Sequence, residues 1–227
     1  MKKLFVGALA TAMASTAGHA VVITEGGTAD AASGLTTSQS GPNISVETFD
    51  LGGGAGCGPT LGETISGDFS ISNTSVNGVR AAPAGDSTCY FAVPSAVSSG
   101  QASVDFTPTF NTGTERVSYL GLYWGSIDLF NAIDFYDGSD LLQTITGADV
   151  LDALTLSGNQ SAPGSNKYIN LFFEDGEEFT SFTVRSTSYA FEIDNVALGV
   201  IETPEPGALG LLGLGLLGIA GYRRRKA

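Results

Sequence analysis

The chain has one histidine, His19, so residues 21–202 contain no imidazole to serve as base, proton shuttle or metal ligand. Ser-His-Asp and Cys-His catalysis are excluded there, and so are the usual zinc and copper sites. What chemistry remains belongs to carboxylates and aromatic rings. Glycoside hydrolysis needs two carboxyl groups facing across a cleft, one with a raised pKa. Glu174, Asp175, Glu177 and Glu178 crowd one turn, but no motif selects a pair from them. Asp134, Asp137 and Asp140 recur at three-residue spacing, yet lack the twelve-residue pattern and closing Glu of an EF-hand. Both sets read as solvated turns, since aspartate in a turn bonds its own backbone. Tyr119, Tyr123, Trp124, Phe130, Tyr136 and Tyr168 could stack on sugar rings. Trp124 lies in a run that is apolar on both faces, which assigns it to a core. Tyr136, beside a turn, is the ring expected to be exposed and the candidate for ligand stacking.

Charge and the two ends set the compartment. Residues 1–20 read as a signal peptide: Lys2 and Lys3, an apolar stretch, then the small-residue site Gly18-His19-Ala20. Residues 203–227 read as a second unit, leaving 21–202 as one domain with enough chain for a substantial core. Of the 23 acidic residues only Glu205 falls outside 21–202, and of the ten basic ones only Arg80, Arg116, Lys167 and Arg185 fall inside. Four positive charges against 22 negative ones give a domain of about −18, which repels nucleic acid and anionic lipid and favours cations. Cys57 and Cys89 are the only cysteines of a chain bound for an oxidising compartment, so they are expected to form a disulfide. Closing a loop of about 33 residues is worth roughly 3.5–4 kcal/mol on the chain-entropy model.

The elements that must position these groups are short and β-like. Alternating patterns predict strands over 21–30, 43–49, 64–72, 88–93 and 101–106, with 31–42 as a loop. Residues 116–124 predict a central strand, with Val117, Tyr119 and Tyr123 on one face and Leu120, Leu122 and Trp124 on the other. Residues 131–136 and 141–146 flank Asp137-Gly138-Ser139-Asp140, a hairpin signal in which Gly138 supplies the positive φ. Strands over 167–173, 179–185 and 189–200 follow, and 148–156 is the single helical candidate. Ten or so short strands punctuated by glycine predict an all-β fold: an antiparallel β-sandwich, jelly-roll-like in type.

The closing strand reads Phe191-Glu192-Ile193-Asp194-Asn195-Val196-Ala197-Leu198. It resembles the closing strand of jelly-roll carbohydrate-binding modules, in which an aromatic/Ile-Asp-Asp/Asn-Val pattern supplies a carboxylate to a structural calcium. The resemblance implies Asp194 as a Ca²⁺ ligand, with Glu47 or Asp50 from an early strand as partners. Calcium takes six to eight oxygens from carboxylates and carbonyls, which suits an acidic, histidine-free, glycine-rich β-protein. The alternative is that Asp194 and Asn195 cap a strand end through bonds to backbone.

The tail reads Pro204-Glu205-Pro206, an uncharged segment over 207–222, then Arg223, Arg224, Arg225 and Lys226. As a helix, 207–222 would rise about 24 Å, just short of a hydrocarbon core of about 30 Å. The basic cluster would stay on the cytoplasmic side, with the domain outside. This tail resembles the PEP-CTERM sorting signal of Gram-negative bacteria, a family also labelled an ice-binding protein C-terminal domain. The resemblance implies recognition by an exosortase at the inner membrane, removal of the tail near Pro204 and Pro206, and delivery to the cell surface or the extracellular polysaccharide matrix. A simple membrane anchor is the alternative. An ice-binding surface would need a flat ladder of regularly spaced threonines, and only isolated pairs occur. The expected function is therefore a non-catalytic surface or matrix protein, associated with exopolysaccharide, biofilm or adhesion. A carbohydrate- or calcium-dependent binding module and a carboxylate-based glycoside hydrolase stand as the rivals.

Overall fold

A computed structural model describes residues 21–52, 54–62, 64–96, 100–107, 115–151 and 157–202. The signal peptide, the helix expected at 207–222 and the whole sorting tail lie outside the described residues. The described residues form an all-β structure. Its strands are β1 (Val22–Glu25), β2 (Thr28–Asp30), β3 (Gly34–Thr36), β4 (Ile44–Glu47), β5 (Thr64–Gly67), β6 (Ser70–Ser72), β7 (Tyr90–Val93), β8 (Ala102–Thr107), β9 (Glu115–Gly125), β10 (Asn131–Asp137), β11 (Asp140–Thr146), β12 (Lys167–Phe172), β13 (Ser181–Ser186) and β14 (Phe191–Glu202). Among the described residues one α-helical turn, α1 (Gly147–Val150), overlaps the start of the stretch expected to be helical, whose residues 152–156 are not among those described.

The strands make two large antiparallel sheets and a small ribbon. One sheet runs β1-β12-β9-β14-β7-β6, with β4 paired to the same edge of β14 as β7; the other runs β11-β10-β13-β8-β5; β2 and β3 form the ribbon. One apolar core joins both sheets. Phe91 of β7 meets Phe106 of β8 edge to face at 6.3 Å, and Phe106 stacks on Phe182 of β13 at 4.7 Å. Trp124 is fully buried and stacks on Phe191 at 4.4 Å, the core position that its two-sided apolar neighbourhood predicts.

Three local expectations are revised. Residues 64–72 are not one strand. Gly67, at φ +122, turns the chain from β5 in one sheet to β6 in the other, a backbone angle that a residue with a Cβ resists. The expected loop over 31–42 contains β3, whose Gly34 has φ +76 and leaves no room for a Cβ beside the Tyr123 ring. On β9, Val117 joins Leu120, Leu122 and Trp124 in the core instead of sharing a face with Tyr119. The reason is an irregularity in register opposite Gly199 and Val200, which shifts the alternation by one residue.

The same device shapes the end of the chain. Phe191 and Ile193 point into the core, but so do Val196 and Leu198. Strict alternation would forbid this. The register of β14 on β9 breaks between Asp194 and Ala197, and Asn195 sits in the left-handed region at φ 48. Glu192 and Asp194 therefore share the face of the sheet away from the core. That face is covered by the β2–β3 ribbon and by the segment 81–89. Ser33 bridges to Asp86, and the Ser87 N–H donates to the Ala32 carbonyl at 2.8 Å.

Candidate functional site

Asp194 is fully buried beneath that cover. Its neighbour Asn195 fixes the ribbon, donating through Nδ2 to Ser33 Oγ at 2.8 Å and to the Leu35 carbonyl at 2.9 Å. The Asn195 carbonyl in turn accepts the Tyr168 hydroxyl at 2.9 Å. Asn195 thus does the backbone bonding that a strand-end reading assigns to both residues. Asp194 shares in it only through the Asn195 N–H, and its Oδ1 is buried with no hydrogen-bond partner.

The group opposite is Asp86. Its Oδ1 accepts the Thr88 N–H and the Thr88 hydroxyl, both at 2.7 Å, while its Oδ2 is buried with no partner. Burial pushes the Asp194 carboxyl up to about 9, and the charges of Asp86 and then Asp50 push the same way against the Asn195 N–H. Asp86 is raised too, first by burial and further by Asp50, with Thr88 opposing. Two buried carboxyl groups this close are costly as a pair of charges unless a shared proton or a cation lies between them.

Asp50 belongs to this neighbourhood through the disulfide. Cys57 and Cys89 are bonded, with Cα atoms 5.5 Å apart, as the pairing of the only two cysteines predicts. Asp50 bridges to Cys57, and Asp50 Oδ1 accepts the Cys89 N–H at 3.0 Å. The bond therefore staples the segment carrying Asp50 to the one carrying Asp86, Thr88 and Cys89. Glu47 has a different task. Both of its oxygens are occupied, by the N–H groups of Phe49 and Thr60 at 2.5 Å, the Thr60 hydroxyl at 2.8 Å and the Leu61 N–H at 3.0 Å. It organises the 60–61 loop.

Among the described residues no group of three or more His, Cys, Asp or Glu side chains is arranged to hold a metal ion by itself. A cation at Asp194 would thus need carbonyls, hydroxyls and water to complete its shell. Asp86 was missed by sequence reasoning. Its signal is faint: Asp86 stands two residues before the strand expected over 88–93, in a stretch with no pattern of its own.

The other candidates sit elsewhere. Tyr136 is half-buried and lines an open groove of about 340 Å³ with Asp105, Gly138, Ser181 and Thr183, on the outer face of the five-stranded sheet. It does not meet Asp194. Of the other rings, Tyr119, Tyr123, Trp124 and Tyr168 are buried. Tyr119 reaches Asn170 at 2.8 Å and Tyr123 the Ala84 carbonyl at 2.5 Å. The aspartate set is not simply solvated. Asp134 accepts Arg185 at 3.0 and 3.2 Å and Thr144 at 2.7 Å, and Asp137 takes both oxygens to Arg116 at 2.7 and 2.8 Å. The crowded turn is bonded locally, with Glu178 accepting the Gly176 N–H at 3.0 Å.

Comparison with known proteins bears on the tail. Residues 202–226 match the PEP-CTERM protein-sorting motif. The chain is accordingly an exported protein of the exosortase-sorted class. No curated protein matches it in sequence. Among solved structures it is similar to CpGH89CBM32-6 of Clostridium perfringens, at 12% identity and a TM-score of 0.31, over 60% of this chain and 94% of that one. It is also similar to the enzymatically active domain of tailspike protein 4 from bacteriophage CBA120, at 18% identity and a TM-score of 0.27, over 61% of this chain and 19% of that one. Among the described residues no helix is long and apolar enough to cross a membrane.

Proposed function

We propose that this chain is a non-catalytic protein of the cell surface and its polysaccharide layer, released from the inner membrane by an exosortase, with a calcium ion holding its domain closed at Asp194. The observation that carries the reading is the position of the sorting motif. It begins at Glu202, the last residue of β14, so the strand that bears Asp194 passes directly into the signal. Pro204, Glu205 and Pro206 would be presented just past the domain, and Arg223, Arg224, Arg225 and Lys226 would hold the span until processing.

Two buried carboxyl groups support the calcium part of this reading. Asp194 and Asp86 each have a buried oxygen with no partner, and the disulfide fixes the Asp86 segment to the one that carries Asp50. A divalent ion there would neutralise both carboxylates and tie β14 to the 81–89 segment, and Asp50 stands near enough to add its charge. The donor set is all oxygen, which favours calcium over zinc or copper. Absence of histidine, together with acidic sets spent on arginines and turn bonds, speaks for a structural rather than a catalytic domain.

The test is fractionation of the native host. The protein should be recovered in the exopolysaccharide fraction of cells with an active exosortase, and in the membrane fraction of cells without one. Recovery in the membrane in both strains would leave a simple anchored protein.

A further inference from the structure

At one end of the sandwich, the turn around 78–80, the corner between β9 and β10, the approach to β12 and the turn into β14 enclose a pocket of about 320 Å³. Nothing above uses it. We infer that this pocket, lined by Arg80, Asp128, Phe130, Gln160, Tyr189 and Glu192, binds a single neutral sugar unit of a polysaccharide.

The floor is fixed and polar. Glu192 is almost wholly buried, and its two oxygens accept the Ala81 N–H and the Ser126 hydroxyl, both at 2.8 Å. Ser126 is itself held, its N–H donating to Asn166 Oδ1 at 3.0 Å. Asp128 is clamped in the same way: Ser157 donates to its Oδ1 at 2.8 Å, and Gly158 lies so close that a Cβ there would stand 2.6 Å from that oxygen. These groups are in place before a ligand arrives, so little ordering entropy opposes binding.

The remaining walls decide the chemistry. Phe130 and Tyr189 are half-buried rings bordering the pocket, and Arg80 and Gln160 supply donors where Asp128 supplies an acceptor. Arg80 already donates to the Thr74 carbonyl and Ser72 Oγ, and Asp128 Oδ1 accepts Ser157. An apolar ligand would therefore strip water from the polar atoms they have left and return no bond. An anionic one would enter a domain of about −18 charge. A hydroxyl-bearing ring, with apolar faces and both donors and acceptors at its edge, satisfies the set, and the volume falls at the lower end of the range for small-ligand sites. Phe130 was one of the rings singled out for stacking on sequence grounds. Tyr136 faces a separate groove on the sheet.

The inference deepens the assignment to the polysaccharide layer and rests on it for the choice of ligand. The experiment uses the purified full chain in detergent with glucose, galactose, mannose and their N-acetylated amines, read by saturation-transfer NMR, with glucuronate and galacturonate as charged comparisons. At least one neutral sugar should receive saturation. Its affinity should fall at least tenfold in Asp128→Asn and in Phe130→Ala, and clearly in Gln160→Ala, an exposed position that leaves folding intact. Tyr136→Ala should bind like the parent. No transfer to any neutral sugar, a preference for the uronates, or binding that survives both Asp128→Asn and Phe130→Ala would overturn the inference. A pocket variant that still reaches the cell surface but has lost the sugar separates this site from the sorting route, and a parent that binds sugar yet never leaves the membrane does the reverse.

Discussion

The Thr88 hydroxyl lies 2.7 Å from Asp86 Oδ1 and 3.4 Å from Asp194 Oδ2. A hydroxyl has one proton, and the shorter contact takes it. Asp194 is left as a buried carboxyl facing another, an arrangement that stores electrostatic cost in the metal-free fold.

Calcium should remove that cost. The melting temperature of the domain should rise with added Ca²⁺, by about 2.7 kcal/mol of stability at a hundredfold excess over the dissociation constant. Asp194→Asn and Asp86→Asn should each abolish the rise. In EDTA near neutral pH, Asp194→Asn should melt at or above the parent, because the buried carboxyl must take up a proton that the unfolded chain does not hold and an amide need not. Differential scanning calorimetry decides it, and identical melting in EDTA and in millimolar calcium would remove the ion from the structure.

The disulfide carries a separate prediction. Cys89→Ala should cost within the 2–5 kcal/mol typical of such bonds in small secreted domains. Its loss should also weaken the calcium response, since the bond joins the Asp50 and Asp86 segments. Free-thiol labelling of the denatured, unreduced protein should find neither cysteine.

Acid should act through Asp134. Burial raises its pKa, but the bonds from Arg185 and Thr144 outweigh it and hold the carboxyl below its usual value. A folded-state pKa below the unfolded one contributes stability that is complete above the unfolded value and is lost as pH falls through the folded one. The loss should thus appear below about pH 4, and Arg185→Gln should flatten that acid limb in a series of melts. An unchanged limb would assign the acid sensitivity to other carboxylates.

Replacing Arg223, Arg224, Arg225 and Lys226 with neutral residues should leave a mislocalised precursor, because the positive cluster sets orientation and retention. Mass spectrometry of the surface form should find no peptides from 207–227. Dominant recovery of that segment in the mature protein would exclude processing.

How much of this was legible in the sequence depends on the range of the interaction. The hairpin at Gly138, the core placement of Trp124 and the cysteine pair follow from local pattern or simple counting. The one phase error, at Val117, came from irregular register on β9, and β14 has the same device, where one extra residue turns inward what alternation turns outward. The β14 break is visible in hindsight, since Ile193 and Val196 cannot both face a core across a regular strand. Asp194 was found through its motif, but its partner Asp86 arrives from a distant loop brought close by the fold. The pocket around Glu192 is assembled from four turns and has no linear signature.

The course of β14 bears on mechanics. Its first residues adjoin the sugar-sized pocket, its last residue opens the sorting motif, and β9 flanks one edge while β7 and β4 flank the other. Until the tail is processed, tension between the pocket and the membrane-held segment would run along this one strand. The hydrogen bonds of both ladders would then be loaded side by side in shear, rather than opened one at a time. A domain threaded in this way would resist a pull directed along β14 more than one directed across it.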